Sequence, residues 1–214
     1  MMEAVIFDMD GVIIDSHSIA IRLLREAANR YGRSLTSDEI RSWGSLSSRQ
    51  FWTKVKDDFH LPHELNELIQ SYDVDKEIEL YREIELIPGV RNLLSDLREH
   101  GFKIALATSA SSKRMNAVLD IFEIRGYFDR CVCDDEVEVS KPCPDIFLLA
   151  AGKLGVNPSQ CVVIEDSRNG LLAAKSAGMK CIGFKGLAHV HENMDGADLI
   201  VTDFNDREFF HKVK

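Results

Sequence analysis

From Pro88 onward, short apolar runs alternate with longer stretches that close on glycine, and this alternation limits the fold more than any other feature of the chain. The runs are Lys103-Ile104-Ala105-Leu106-Ala107, Cys131-Val132-Cys133, Cys161-Val162-Val163-Ile164, Cys181-Ile182-Gly183-Phe184 and the short Leu199-Ile200-Val201. Their period-2 or all-apolar pattern suits strands. Between them, Val90 to His100 before Gly101, Ser112 to Phe122, Asp145 to Leu154 before Gly155 and Asn169 to Ala177 before Gly178 read as helices. Strand and helix in alternation predict an α/β fold with a parallel, doubly wound, Rossmann-like sheet.

One further strand, Ala4 to Phe7, stands apart at the start of the chain. From Ser16 to Ile84 no convincing strand is found, and Ile19, Leu23 and Ala27 recur at helical spacing. The expected organisation is therefore a catalytic core made of residues 1–15 and 85–214, with a helical cap, residues 16–84, inserted after the first strand. A length of 214 residues suits one core with an insertion better than two full domains.

Composition narrows the function. The formal net charge is −9, with no block of Lys or Arg, so the electrostatic footprint of a nucleic-acid binder is missing. No apolar run approaches the ~18 residues of a membrane span. The start, Met1-Met2-Glu3, carries neither a basic lead nor a small-residue cleavage site, and none of Cys131, Cys133, Cys143, Cys161 and Cys181 forms a Cys-x-x-Cys pair. The expectation is a cytoplasmic protein with free thiols, more readily a monomer than an oligomer, whose partner is a small molecule. An anionic substrate must then be held by local positive potential against the global charge.

Ligands of an open parallel sheet bind beyond the carboxyl ends of its strands. After the first strand come Asp8 and Asp10, which share a face in extended chain; alone they read equally as a turn into Gly11. The fourth strand ends in Glu165-Asp166-Ser167, which either adds two carboxylates to the same place or caps the helix that follows. So many hard oxygen ligands, without His or Cys among them, select Mg2+. Strand two ends in Thr108-Ser109-Ala110-Ser111-Ser112, where hydroxyls and amides at a helix N-terminus can hold an anion or serve only as an N-cap. Lys141, ahead of Pro142 and Pro144, is either a cation aimed by a stiff turn or a solvated loop lysine.

Asp8-Met9-Asp10, Thr108, Lys141 and Glu165-Asp166 together, in this order, resemble the haloacid dehalogenase-like superfamily across nearly the whole chain. Asp10 to Ser16 and Ser140 to Phe147 resemble its beta-phosphoglucomutase-like and small-phosphatase branch. The resemblance implies that Asp8 is the nucleophile that becomes an aspartyl-phosphate and that Asp10 is the proton donor and later the base. It implies a magnesium ion on Asp8, the Asp10 carbonyl and Asp166, with Glu165 ligating or supporting it. Thr108, Ser109 and Lys141 would hold the phosphoryl group. It also implies that the cap closes over the core and sets the substrate.

In the cap, the loop Trp43-Gly44-Ser45-Leu46-Ser47-Ser48-Arg49 supplies Gly44 and Arg49 as candidate substrate contacts, and Lys76 is a further one. Mutases of this branch carry a histidine where Ala20 stands, with His17 one turn earlier. His17 is expected either to substitute or, more simply, to sit at the surface near the hinge. Ala20 tilts the expectation from sugar-phosphate mutase toward phosphatase. A receiver-type signalling switch, phosphorylated on aspartate, shares several of these residue types but not their order or the insertion.

Overall fold

The computed structural model describes residues 2–44 and 46–206. In chain order, β1 (Ala4–Phe7) leads into five helices, α1 (His17–Arg30), α2 (Ser37–Ser42), α3 (Ser48–Phe59), α4 (Leu65–Gln70) and α5 (Val74–Leu80). Then come α6 (Val90–Glu99), β2 (Lys103–Thr108), α7 (Ser112–Ile121), β3 (Arg130–Cys133), α8 (Asp145–Leu154), β4 (Cys161–Glu165), α9 (Arg168–Ser176), β5 (Lys180–Phe184) and β6 (Leu199–Val201). All six strands pair in parallel in the order β3-β2-β1-β4-β5-β6. The doubly wound α/β sheet expected from the alternation is the fold observed.

β1 occupies the centre because every one of its side chains is apolar and buried. Successive residues of a strand face opposite ways. Val5 and Phe7 join one cluster with Leu93 and Leu97 of α6 and Val118 of α7, while Ala4 and Ile6 join another with Phe147 of α8 and Ala173 of α9. Helices thus cover both faces, the arrangement that lets a parallel strand do without a polar side. Burying a side chain such as Phe7 or Ile6 contributes roughly 1.5–3 kcal/mol each.

Helices α1 to α4 pack around a third apolar cluster, which includes Ala28, Phe51, Trp52, Val55 and Leu68. Its short helices are defined by their caps. Thr36 Oγ1 accepts from the Glu39 amide at 3.1 Å while Glu39 Oε2 accepts from the Thr36 amide at 2.7 Å. Ser47 and Gln50 repeat this at the start of α3. Both are reciprocal capping boxes. Ser45, in the loop singled out from the sequence, lies outside the described residues.

The chain leaves and re-enters the sheet side by side. Ile14 forms an antiparallel bridge with Leu86, and the Ile87 amide donates to the Ile13 carbonyl at 2.9 Å. Among the described residues no helix is long and apolar enough to cross a membrane, and all five cysteines are free thiols.

Candidate active site

The site is built on the carboxyl ends of the central strands. The Asp8 amide donates to the Ile164 carbonyl at 3.0 Å, which extends the β1–β4 pairing by one residue and fixes the Asp8 backbone. The chain then turns sharply: the Ile13 amide reaches back to the Met9 carbonyl at 2.8 Å, and Gly11 adopts a φ of 82°. That turn needs glycine twice over. The left-handed backbone disfavours other residues, and a Cβ on Gly11 would stand 1.9 Å from Asp166 Oδ2.

Lys141 Nζ donates to Asp8 Oδ1 at 2.6 Å, to Glu165 Oε1 at 2.7 Å and to the Ala107 carbonyl at 3.2 Å. The lysine is only 6% exposed, and a lysine so buried is kept there by its partners. Burial opposes its charge, but Asp8 and Glu165 outweigh burial and raise its pKa. Lys141 is therefore no solvated loop residue. The second oxygen of Glu165 accepts from the amides of Asp166 and Ser167, each at 3.0 Å, and from the Ser167 hydroxyl at 2.9 Å.

Capping of α9 falls to Ser167, whose hydroxyl accepts from the Gly170 amide at 3.0 Å, and not to Glu165 or Asp166. A Cβ on Gly170 would stand 1.7 Å from Glu165 Oε1, so this helix turn must stay bare for the carboxylate to fit. On the opposite side Ser111 caps α7, and Thr108 Oγ1 accepts from the Ala110 amide at 3.0 Å. Thr108 is buried beneath the loop it organises.

Asp10 is held differently. Its Oδ1 accepts from the Ser16 hydroxyl in a short hydrogen bond and from Arg114 Nη2 at 3.0 Å. The same Nη2 pairs with Glu77 Oε1 at 2.8 Å, and Arg114 Nε donates to the Tyr81 hydroxyl at 2.9 Å. Sequence reasoning did not single out Arg114, Glu77 or Tyr81. One signal was available: a cation in the first turn of α7 is set against the helix dipole and needs another reason to be there.

A cavity of about 400 Å³ lies over these groups. Asp8, Asp10, Thr108, Ser109, Lys141, Glu165, Asp166 and Arg114 line it from the sheet side, while Ala20, Leu24, Arg49, Phe51 and Tyr72 line it from the inserted region. Gly44 and Lys76 are not in its wall. Gly44 approaches Glu192, where a Cβ would stand 3.2 Å from Oε1, and Lys76 Nζ pairs with Glu26 at 2.7 Å.

His17 departs from the expectation of a surface residue. As the first residue of α1 it turns into the cavity wall, with Nε2 at 3.3 Å from Asp166 Oδ2 and Nδ1 at 3.6 Å from Asp15. Burial works against its charge, yet Asp15, Asp166 and Asp10 outweigh it and raise the ring to about 10.

The acid cluster is short of positive charge. Asp8, Glu165 and Asp166 can bring one oxygen each within 4.8 Å of one another. Burial holds Asp8 well above the ordinary carboxylate range; Lys141 opposes this, and Glu165 and Asp166 add to it. Asp166 is raised to about 6 by burial, with His17 pulling against it. Among the described residues, Asp166 Oδ2 is buried and accepts no hydrogen bond. A buried carboxylate oxygen with no hydrogen bond of good geometry, faced by His17 Nε2 at 3.3 Å and beside two more carboxylates, is a donor set suited to a hard divalent cation, and the residues fit magnesium.

The family model for haloacid dehalogenase-like hydrolases matches residues 2–178. The chain belongs to the haloacid dehalogenase-like hydrolases. Among relatives of this hydrolase, a phosphorylated carbohydrates phosphatase of Thermotoga maritima is 34% identical over 199 residues, covering 93% of this chain and 90% of the relative. Hexitol phosphatase B of Escherichia coli K12 is 31% identical, covering 84% and 82%. A beta-phosphoglucomutase from Clostridium difficile superposes with a TM-score of 0.86 at 28% identity, covering 100% of this chain and 97% of that one. The hydrolase is accordingly a phosphomonoesterase or phosphotransferase, and the receiver-type reading is set aside.

Proposed function

We propose that this hydrolase is a magnesium-dependent phosphatase of a small phosphorylated metabolite, a sugar phosphate or similar ester, working through an aspartyl-phosphate on Asp8. The observation that carries the reading is the Lys141 ammonium bridging Asp8 and Glu165 beside the buried carboxylate of Asp166. In this reading residues 16–84 act as the cap over a core of 1–15 and 85–214.

A carboxylate oxygen of Asp8 attacks phosphorus, forming a new P–O bond as the bond to the leaving oxygen breaks. Asp10 gives its proton to that oxygen, and later takes one from the water that hydrolyses the aspartyl-phosphate. Lys141, Thr108 and Ser109 hold the phosphoryl oxygens. Asp8, Asp166 and the Asp10 main-chain carbonyl would hold magnesium. The ion supplies the charge neutralisation that lets a carboxylate approach a phosphate dianion. Both oxygens of Glu165 already accept from protein donors, which suits it to anchoring Lys141.

Water is favoured as acceptor because Ala20, in the cavity wall, offers no proton-transfer group where the mutase branch has histidine. Arg49, also in the wall, is the cap residue placed to meet a second anionic or hydroxyl group of the substrate. A panel of phosphomonoesters assayed with and without magnesium tests the reading, with metal-dependent phosphate release expected. Interconversion of beta-glucose 1-phosphate, primed by its bisphosphate and releasing no phosphate, would replace it with the mutase reading.

A further inference from the structure

One partly buried guanidinium touches three parts of the chain that are far apart in sequence. Arg114, from the first turn of α7, donates through Nη2 to Asp10 beyond β1 and pairs through the same nitrogen with Glu77 of α5. Its Nε donates to Tyr81, just past α5, and Tyr81 in turn donates to Glu77 Oε1 at 2.8 Å. Glu77 is fully buried. A carboxylate so placed is costly unless a cation meets it, and an arginine fork meets carboxylates in a fixed geometry that a lysine cannot reproduce.

We propose that Arg114 is the positioning residue for Asp10, and that through Glu77 and Tyr81 it ties the proton-transfer carboxyl to the last helix of the inserted region. The inference rests on the phosphatase reading and adds to it a residue that the sequence motifs do not contain. Both donors to Asp10, Ser16 and Arg114, converge on Oδ1. Among the described residues Oδ2 meets no donor, and it is the oxygen that carries the proton. As the P–O bond breaks, its electron pair goes to the leaving oxygen and the proton moves there from Oδ2. With the fork removed, the carboxyl is anchored by Ser16 alone and rotates away from the line of transfer. Because Glu77 and Tyr81 hold the fork from the insertion side, a displacement of α5 moves the acid as well.

The test exploits the need for that proton. An alkyl phosphate expels an alkoxide and depends on the acid, whereas 2,4-dinitrophenyl phosphate expels a stable phenolate and does not. We expect Arg114→Lys to lower kcat/KM on the best alkyl phosphate at least about ten times more than on the dinitrophenyl ester, the loss lying in kcat. Arg114→Met combined with Glu77→Gln, which leaves no buried charge unpaired, should show the same ratio. If the double variant fails to fold, Arg114→Lys carries the comparison, since it keeps the charge that Glu77 needs. Equal losses on both esters, or no loss on either, would overturn the positioning role while leaving the phosphatase reading intact. No metal-dependent turnover of either ester by the unsubstituted chain would overturn both.

Discussion

Replacing Lys141 with methionine keeps the shape of the side chain and removes the ammonium that meets two buried carboxylates, at 2.6 and 2.7 Å. Removing one partner of a buried pair typically costs roughly 3–5 kcal/mol, because the other charge is left uncompensated. For a chain of this length each kcal/mol lowers Tm by about 2–4 °C, so a fall of roughly 6–20 °C is expected near neutral pH. The deficit should depend on pH in a set direction. Lys141 is raised above its usual pKa, so its contribution is complete below about 10.4 and lost only above that. Asp8 already sits above the carboxylate range, and without Lys141 it rises further. A group whose folded pKa exceeds its unfolded value is harmless below the unfolded value, about 3.9, and destabilises as pH climbs through the folded one. The variant should therefore lose more against the unsubstituted chain at about pH 8 than at about pH 5, and added magnesium should recover part of the loss. Thermal melts followed by circular dichroism, in chelator and in magnesium, measure all three. A fall below about 2 °C at the higher pH, or a deficit that does not vary with pH, would refute the view of Lys141 as the counter-charge of the cluster.

Asp8→Asn should abolish turnover and covalent labelling by a phosphoryl donor, with no drop in Tm because a costly buried charge is removed; residual turnover above background would sink the nucleophile assignment. Gly11→Ala places a methyl against Asp166 Oδ2, so magnesium affinity measured by calorimetry should fall about tenfold or more, and an unchanged affinity would contradict the metal assignment. Asp129, partly exposed, accepts from the Ile104 amide at 2.8 Å and from Arg98 at 2.7 Å. Burial pushes against its charge but these donors hold its pKa down, so its contribution is present above about 3.9 and lost as pH falls through the lower folded value. Asp129→Asn should cost about 1 kcal/mol at neutral pH after allowing for solvent screening, and nothing in acid, by urea melts.

The strands were legible because each carries a short apolar run, nearly all of it buried in the central strands, and Leu199–Val201 was read to the residue although only its Val201 is buried. Asp8, Asp10, Thr108, Lys141, Glu165 and Asp166 were legible because strand ends converge in a parallel sheet whatever lies between them. The inserted helices were not distinguished one from another. Three of them run to six or seven residues, too short for periodicity to register, although the capping boxes at Thr36 and Ser47 were in plain view. His17 was misjudged because a residue in the first turn of a helix leans back toward the N-terminus, here onto Asp166. Arg114 left only the hint of a cation set against the helix dipole: its partners Tyr81, Glu77 and Asp10 are distant in sequence, and only the closed fold brings them together.

The position of β1 also sets an order of events during synthesis. This strand leaves the ribosome before both of its neighbours, β2 and β4, and β4 follows only after roughly 150 more residues have been made. At ~5–20 residues per second the central strand waits on the order of ten to thirty seconds for its second edge. Throughout that time Asp8 is tethered to an unfinished sheet with neither Lys141 nor Glu165 fully in place. A nascent chain stalled before Cys161 exposes one edge of this wholly apolar strand, so it is there that a holding chaperone or an aggregating neighbour would find its opening.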